Sequence, residues 1–182
     1  MKTLTHLAVG YLLGRVACAR GRQLRAFLCG AVIPDIPVMM VGIYVWFGGG
    51  TGLEFSARMA SIYFEDPLLI IAHSLLHAPL SLFGASVCML RTCLGGRALT
   101  SALYLFAGTL IHTTLDLLTH HDDGPLLLWP LDWETRYLSP VSHWDKQHYA
   151  IWVVAFEGFI VGVALMLALS RPRSLKVHAS LG

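Results

Sequence analysis

Four long runs of apolar residues dominate this chain of 182 residues. A helix needs about 20 mostly apolar residues to cross the hydrocarbon core of a bilayer, which is about 30 Å thick. Each of the four runs is of about that length, and together they cover residues 26–47, 67–90, 98–119 and 150–169. They predict an all-α fold, a polytopic membrane bundle of four or five transmembrane helices that forms a single membrane-embedded domain, 1–182.

A fifth and weaker run covers residues 4–19 and is interrupted by Arg15. It could be a short span, an interfacial helix or a secretory signal. The tripeptide Ala17-Cys18-Ala19 after an apolar run fits a cleavage site, but Arg15 falls where a signal should be continuously apolar. We therefore expect this segment to be retained.

The composition agrees with a membrane protein. Apolar residues make up 55% of the chain and charged residues 13%, against about 25% charged residues in soluble domains. These values exclude a disordered tail, a basic nucleic-acid-binding domain and an ordinary cytosolic enzyme. The net charge of only +2 indicates no polyanionic partner such as nucleic acid. Membrane lipids are the partners that we expect, and the sequence identifies no protein partner. The cysteines form no Cys-x-x-Cys pair and are interpreted as reduced packing residues: Cys18, Cys29, Cys88 and Cys93.

Basic residues mark one side of the predicted bundle. Segments 20–25 and 91–97 and the C-terminal tail carry arginine or lysine and no acidic residue, whereas segments 48–66 and 120–149 are acidic, and all five tryptophans lie in or near these two segments. The basic residues concerned are Arg20, Arg22, Arg25, Arg91, Arg97, Arg171, Arg173 and Lys176. By the positive-inside rule we expect a cytoplasmic C-terminus and an external loop over 120–149.

Ionisable side chains within the apolar runs are the strongest functional signal in the sequence. A charged group at the centre of a bilayer costs at least ~2.5–3.5 kcal/mol, so such groups are rare unless they bind one another or an ion. The residues concerned are His6, Asp35, His73, His77, His112, Asp116 and Glu157.

The spacing of these residues indicates that they converge. His112, Asp116 and His120 are four residues apart in turn, and His73 and His77 form a second pair with helical spacing. Such pairs can reach one metal ion. Nitrogen and oxygen donors suit Zn²⁺, with Mn or Fe as alternatives. We expect metal ligands among His6, Asp35, His73, His77, His112 and Asp116.

Several short motifs occur in an order that resembles one known family. They are Thr5-His6, Ile33-Pro34-Asp35, His73-Ser74, His112-x-x-x-Asp116-x-x-Thr119, Gly124 and Trp129-Pro130. The order resembles that of the YdjM-like (YbcI-like) metal-dependent hydrolases of the bacterial inner membrane, over about residues 5–140. The resemblance implies a multi-span hydrolase with metal ligands at His6, Asp35, His73, His112 and Asp116. One branch of the family is described as binding a repressor.

The chain departs from the family pattern at one motif. Family members usually carry His-Arg-Gly shortly before the Thr-His-Ser motif, but residues 58–72 contain no histidine. His77 could replace that ligand, or the site could have lost its activity.

The reaction that fits these residues is metal-activated hydrolysis of a lipid or lipid-linked ester or phosphoester. Asp116 or Asp35 would serve as ligand or general base, and His120 or His121 would protonate the leaving group. We expect a lipid substrate because the predicted site lies close to the membrane interface, beneath a loop that is rich in aromatic residues.

Other interpretations remain open at this stage. The buried polar groups could be a hydrogen-bonded network that fixes helix packing, a transport pathway for a metal or another solute, or part of a non-catalytic scaffold that binds a repressor. Glu157 could pair with a neighbouring helix or with a metal-bound histidine. The stretch His120, His121, Asp122 and Asp123 could belong to a second metal site or to a solvated helix end. His143 and His148 could belong to a lid or contact lipid headgroups, rather than bind a metal ion.

Overall fold

The computed structural model of the chain describes residues 1–17, 19–49, 51–91 and 96–170. Its helices are α1 (Thr3–Val16), α2 (Arg22–Gly30), α3 (Ile36–Phe47), α4 (Gly52–Glu65), α5 (Pro67–His77), α6 (Pro79–Arg91), α7 (Gly96–Thr119) and α8 (Ala150–Leu169). The predicted features at Cys18, Cys93, Arg171, Arg173 and Lys176 lie outside the described residues. Within those residues the fold is all-α, as predicted, with one isolated β-bridge between Leu126 and Arg136.

Three helical segments of the described chain are long and apolar enough to cross a membrane: Arg22–Phe47, α7 and α8. Helices α4 and α5 meet at an angle of 74° and together could supply a fourth crossing. The prediction of an all-α membrane bundle is thus confirmed. Helix α1, which covers most of the weak run 4–19, has 14 residues, fewer than a perpendicular span needs.

The predicted run 67–90 is divided into two helices at Ala78. Ala78 is extended, with φ −66° and ψ 127°, because the ring of Pro79 disfavours a helical conformation in the residue before it. Pro34 similarly lies in a 3₁₀ turn, Ile33–Asp35, that joins α2 to α3. Both interruptions place non-helical backbone beside the ionisable residues of the neighbouring helices.

Helices α2 and α7 approach each other very closely, and two glycines make this possible. A Cβ atom on Gly30 would collide with the carbonyl oxygen of Leu105, and one on Gly108 would collide with that of Phe27. Thr109 adds a hydrogen bond across the contact, from Oγ1 to the Gly30 carbonyl at 3.3 Å. Small residues at such contacts let membrane helices pack backbone to backbone, and here they bring the end of α2 against the histidine-bearing part of α7.

The segment 120–149 is irregular apart from a short 3₁₀ turn, Lys146–His148, and it folds over one end of the bundle. Leu126 and Trp129 pack with Ala78 in a small buried apolar cluster. Ser139 Oγ donates to the Leu118 carbonyl at 2.7 Å, and the His143 backbone N–H donates to the Thr119 carbonyl at 3.1 Å. The end of α7 is therefore enclosed by this segment.

Candidate metal centre

Four side chains from separate parts of the chain converge in the bundle. Asp35 comes from the turn between α2 and α3, His77 from the end of α5, and His112 and Asp116 from α7. One donor atom of each lies within 4.8 Å of one donor atom of every other. His77, His112 and Asp116 are buried, and Asp35 is half-buried. We refer to these four residues as the four-donor group.

The two histidines of the four-donor group turn the same nitrogen toward each other. His77 Nδ1 lies 3.0 Å from the His73 carbonyl oxygen, and His112 Nδ1 lies 2.8 Å from the Ala31 carbonyl oxygen. A carbonyl oxygen can only accept, so each Nδ1 carries its ring's proton. In neutral rings both Nε2 atoms then have free lone pairs, and these two atoms are 2.9 Å apart. Such close lone pairs require a shared cation, which is either a proton or a metal ion.

The spacing of the donor atoms suits a metal ion. Asp116 Oδ2 lies 3.1 Å from His112 Nε2 and 3.5 Å from His77 Nε2, and Asp35 Oδ1 lies 3.4 Å and 3.9 Å from the same two nitrogens. Ligand atoms at the corners of a tetrahedron about 2.0 Å from a Zn²⁺ ion are about 3.3 Å apart. The residues present therefore fit a divalent ion with two imidazole and two carboxylate ligands.

Charge balance supports the same conclusion. Asp35 and Asp116 bring two carboxylates close together. Among the described residues the Met1 ammonium pairs with Asp116 Oδ1 at 2.6 Å, and no lysine or arginine side chain forms an ion pair with either carboxylate. Buried carboxylates without enough compensating positive charge are strongly unfavourable. A divalent cation between Asp35 and Asp116 would supply the charge that the single ammonium does not.

His6 and His73, which were also predicted to be ligands, lie beside the four-donor group. The His6 ring stacks on His112, with centroids 3.7 Å apart, and its Nε2 lies 2.9 Å from Asp116 Oδ1. The His73 ring stacks on His77, with centroids 3.8 Å apart. Both rings are therefore placed to hold the orientation of a residue of the group.

Asp116 connects the four-donor group to the Met1 nitrogen and to His120. Its Oδ2 faces the two histidines, whereas its Oδ1 lies 2.6 Å from the Met1 nitrogen and 3.5 Å from His120 Nε2. The Met1 nitrogen also lies 2.8 Å from His120 Nε2. Asp35 has a comparable fixing contact, since Thr3 Oγ1 donates to its Oδ2 at 2.5 Å.

His120 and His121, the two predicted proton donors, occupy different environments. His120 lies between Asp116 and Asp123, with Nδ1 2.9 Å from Asp123 Oδ1. Burial lowers the pKa of His120, but its contacts with these two carboxylates outweigh burial and raise the pKa overall. His121 points away from the four-donor group, with Nδ1 2.6 Å from the Ser139 carbonyl oxygen and its ring stacked on His148 at 3.6 Å.

His143 packs edge-on against His120, with ring centroids 4.5 Å apart. Burial, followed by the positive charges on the Met1 nitrogen and His120, lowers the pKa of His143 to about 3. His143 is therefore neutral at physiological pH. It also lines the cavity described below.

A cavity of about 640 Å³ reaches the four-donor group, within the size range of small-molecule sites. Its polar lining includes Asp35, Asp116, His73 and His120, and its opposite wall comes from α3 and α4. His121 is not among the residues that line it. The cavity therefore gives a molecule access to Asp35 and Asp116 of the four-donor group and to His120.

Tyr63 and Arg136 contribute to this site without having been predicted from the sequence. Tyr63 lines the cavity, packs edge-on against His73, and donates from its hydroxyl to the Asp123 carbonyl at 2.8 Å. The guanidinium of Arg136 lies 5.7 Å from the centre of the Tyr63 ring and also donates to the Gly124 carbonyl. Helical spacing of the polar residues in 54–65 was the signal that could have located the helix carrying Tyr63.

Glu157 is buried in α8 but lies apart from the four-donor group. Its Oε1 accepts a long hydrogen bond of 3.4 Å from the Lys2 backbone N–H, just before α1. Its Oε2 has no hydrogen-bond partner among the described residues. Its observed contact is thus with the start of α1, which carries His6.

Comparison with known protein families places the chain in one of them. A family model described as YdjM inner membrane protein matches residues 1–180, nearly the whole chain. No curated protein and no solved structure matches the chain.

Proposed function

Because the chain belongs to the YdjM inner membrane protein family, we propose that it is a metal-dependent hydrolase of the inner membrane. We further propose that its substrate is a lipid or lipid-linked ester or phosphoester. The observation that carries the proposal is the pair of facing Nε2 atoms of His77 and His112, 2.9 Å apart, beside two carboxylates and a cavity. An arrangement that served only helix packing would not need a cavity that reaches Asp35 and Asp116 of the same group.

Asp35, His77, His112 and Asp116 are the residues that would hold the ion, with Zn²⁺ as the first choice and Mn or Fe as alternatives. A divalent ion in such a site lowers the pKa of a coordinated water to about 7 and polarises the bond that is to be cleaved. The surrounding residues keep the ligands in place. His6 and the Met1 nitrogen hold Asp116 through Oδ1.

The proposed proton donor to the leaving group is His120. Two observations support it: His120 lines the cavity, and it contacts both Asp116 and Asp123. A general acid must come within hydrogen-bond distance of the group that it protonates, and a molecule in the cavity can approach His120. His121 has no comparable access.

We propose that the segment 120–149 lies on the external side of the membrane and that the C-terminus is cytoplasmic. The support is the positive-inside rule applied to the basic connections. In this orientation the four-donor group lies toward the external end of α7, close to the interface where lipid ester and phosphoester groups reside.

Hydrolysis by the purified protein in detergent tests the proposal directly. The probes are p-nitrophenyl butyrate, p-nitrophenyl phosphate and bis(p-nitrophenyl) phosphate, each assayed after chelator treatment and after return of Zn²⁺, Mn²⁺ or Fe²⁺. We expect chelation to abolish hydrolysis of at least one probe and one of the metals to restore it, but not in His112→Ala. Absence of metal-dependent hydrolysis of all three probes would contradict the proposal and favour a non-catalytic role.

A further inference from the structure

Helix α4 has one polar face that points away from the site. Glu54 and Arg58 form an ion pair of 3.5 Å, and Ser61 Oγ donates to Glu65 at 2.9 Å. These four residues are spaced three or four apart, which places them on one face of the helix. All four are exposed, as expected for a face in contact with water or with lipid headgroups.

The opposite face of α4 lines the cavity that reaches the four-donor group. Phe55, Met59 and Phe64 of α4 and Val38 and Met39 of α3 form an apolar wall there. No residue of α4 is fully buried. Helix α4 therefore covers a cavity and not a packed core.

The lateral surface of α4 is also apolar and exposed. Leu53 is 90% exposed and is not among the residues that line the cavity. A helix with a charged stripe, an apolar face and large exposed apolar side chains is typical of a helix that lies in the plane of the membrane interface. The sharp bend of 74° between α4 and α5 agrees with a helix that lies across, and not along, the direction of the next one.

From these observations we infer that α4 is an interfacial helix that covers the metal centre, and that the α3–α4 wall binds one hydrocarbon chain of the substrate. The inference rests on the proposed function, because it assigns the chain of the same substrate whose polar group would lie at the four-donor group. An amphiphile fits because the cavity is polar at Asp35, Asp116 and His120 and apolar along Met39 and Met59. Single-chain amphiphiles are thus the substrate class that we assign.

The inference makes a quantitative statement about chain length. Burial of each methylene group against the wall should improve binding about fourfold, which is the ordinary hydrophobic contribution of a methylene group. Dodecyl phosphate should therefore bind far more tightly than hexyl phosphate until the wall is filled. A site that recognised only the polar group would bind both equally well.

Photo-crosslinking in lipid nanodiscs tests the inference without requiring turnover. The probe is dodecyl phosphate with a diazirine at the end of the chain, and mass spectrometry locates the labelled residues. We expect labels at Met39, Phe55 or Met59 that unlabelled dodecyl phosphate displaces and hexyl phosphate displaces poorly. Labels that no competitor displaces, or that fall on Leu53 as often as on these residues, would overturn the inference.

Two variants of α4 provide a matched comparison. Met59→Trp fills the cavity side of the helix and should reduce the displaceable labelling at least tenfold. Ala57→Trp adds the same side chain outside the cavity lining and should leave the labelling as in the wild type. Equal labelling of the two variants would contradict the inference. The competition between chain lengths in the wild type decides the matter even if Met59→Trp does not fold.

The two proposals can fail separately. Displaceable labelling of the α3–α4 wall without hydrolysis of any nitrophenyl probe would support the hydrocarbon-binding site and contradict the hydrolase proposal. Metal-dependent hydrolysis of p-nitrophenyl butyrate without displaceable labelling would support the hydrolase proposal and contradict the hydrocarbon-binding site.

Discussion

The Nε2 atoms of His77 and His112 lie 2.9 Å apart, and each ring directs its other nitrogen to a backbone carbonyl. The carbonyl oxygens belong to His73 and Ala31, which lie in or beside the segments that position the two rings. The backbone thus fixes the tautomer of both histidines and leaves their lone pairs directed at one point. Metal-binding histidines in proteins usually donate their other ring nitrogen in this way to a backbone carbonyl or a carboxylate, which fixes the tautomer and the orientation of the ring.

The first prediction separates ligands from the residues that hold them. His6 contacts Asp116 and stacks on His112 but lies outside the four-donor group. We expect His6→Gln to weaken zinc binding about 10–100-fold, the effect typical of residues that orient a ligand, whereas His112→Gln should abolish stoichiometric binding. Titration against a competing zinc chelator measures both. Equal losses in the two variants would mean that His6 is itself a ligand.

The second prediction concerns the close contact of α2 with α7. Gly108→Ala places a methyl group against the Phe27 carbonyl, and overpacking of this kind costs about 1–3 kcal/mol. We expect a lower midpoint of thermal unfolding in detergent and weaker zinc binding, because the hydrogen bond from His112 to the Ala31 carbonyl depends on this contact. Gly162→Ala is the matched control, since a Cβ atom there meets no atom within 4 Å. If Gly108→Ala melts as Gly162→Ala does, the contact does not hold the site.

The third prediction distinguishes the two adjacent histidines after α7. His120 lines the cavity, whereas His121 stacks on His148. Loss of a general acid typically lowers the rate about 10²–10⁴-fold, so His120→Gln should lower the kcat of metal-dependent hydrolysis by at least about 10²-fold. His121→Gln should stay within a few-fold of the wild type. The reverse order would assign the proton donor to His121.

The fourth prediction concerns the attachment of segment 120–149 to α4. The Arg136 guanidinium lies 5.7 Å from the ring centre of Tyr63 and 5.4 Å from that of Phe64. Arg136→Met removes both cation–π contacts, which contribute about 0.5–1 kcal/mol each at exposed sites, and the hydrogen bond to Gly124. We expect faster hydrogen–deuterium exchange in residues 124–136.

Arg58→Met is the control for this measurement, because Arg58 lies on the polar face of α4 and pairs with Glu54. Its exchange in residues 124–136 should match that of the wild type. Unchanged exchange in Arg136→Met would show that the aromatic contacts do not attach the segment.

Much of this architecture can be predicted from the sequence because its physical causes are local. The apolar runs 98–119 and 150–169 lie within or coincide with α7 and α8, since the length of an apolar run decides whether a helix can cross a bilayer. His112 and Asp116 converge because both lie on one helix at a spacing of four. Their relation to Asp35 and His77 depends on how separate helices pack, which no local pattern determines.

Where the structure differs from the sequence predictions, the difference has a physical reason. The run 67–90 is mostly apolar on both sides of Pro79, so hydropathy alone does not show that one helix ends before Pro79 and another begins there. Helix α4 was missed because its apolar face turns toward a cavity and its composition is mixed, which hides it from a search for continuous apolar runs. His120 and His121 are adjacent in the sequence, and only the course of the backbone after Thr119 decides which of them faces the cavity.

Metal content of the purified protein tests the central claim most directly. Elemental analysis should be carried out on the wild type, Asp116→Asn and Glu157→Gln after loading with Zn²⁺ and removal of excess ion. Asp116 and Glu157 are both buried carboxylates in apolar helices, but only Asp116 belongs to the four-donor group. We predict about one ion per chain in the wild type and in Glu157→Gln, and loss of the ion in Asp116→Asn. A wild type that retains no ion, or an Asp116→Asn variant that retains as much as the wild type, would contradict the account.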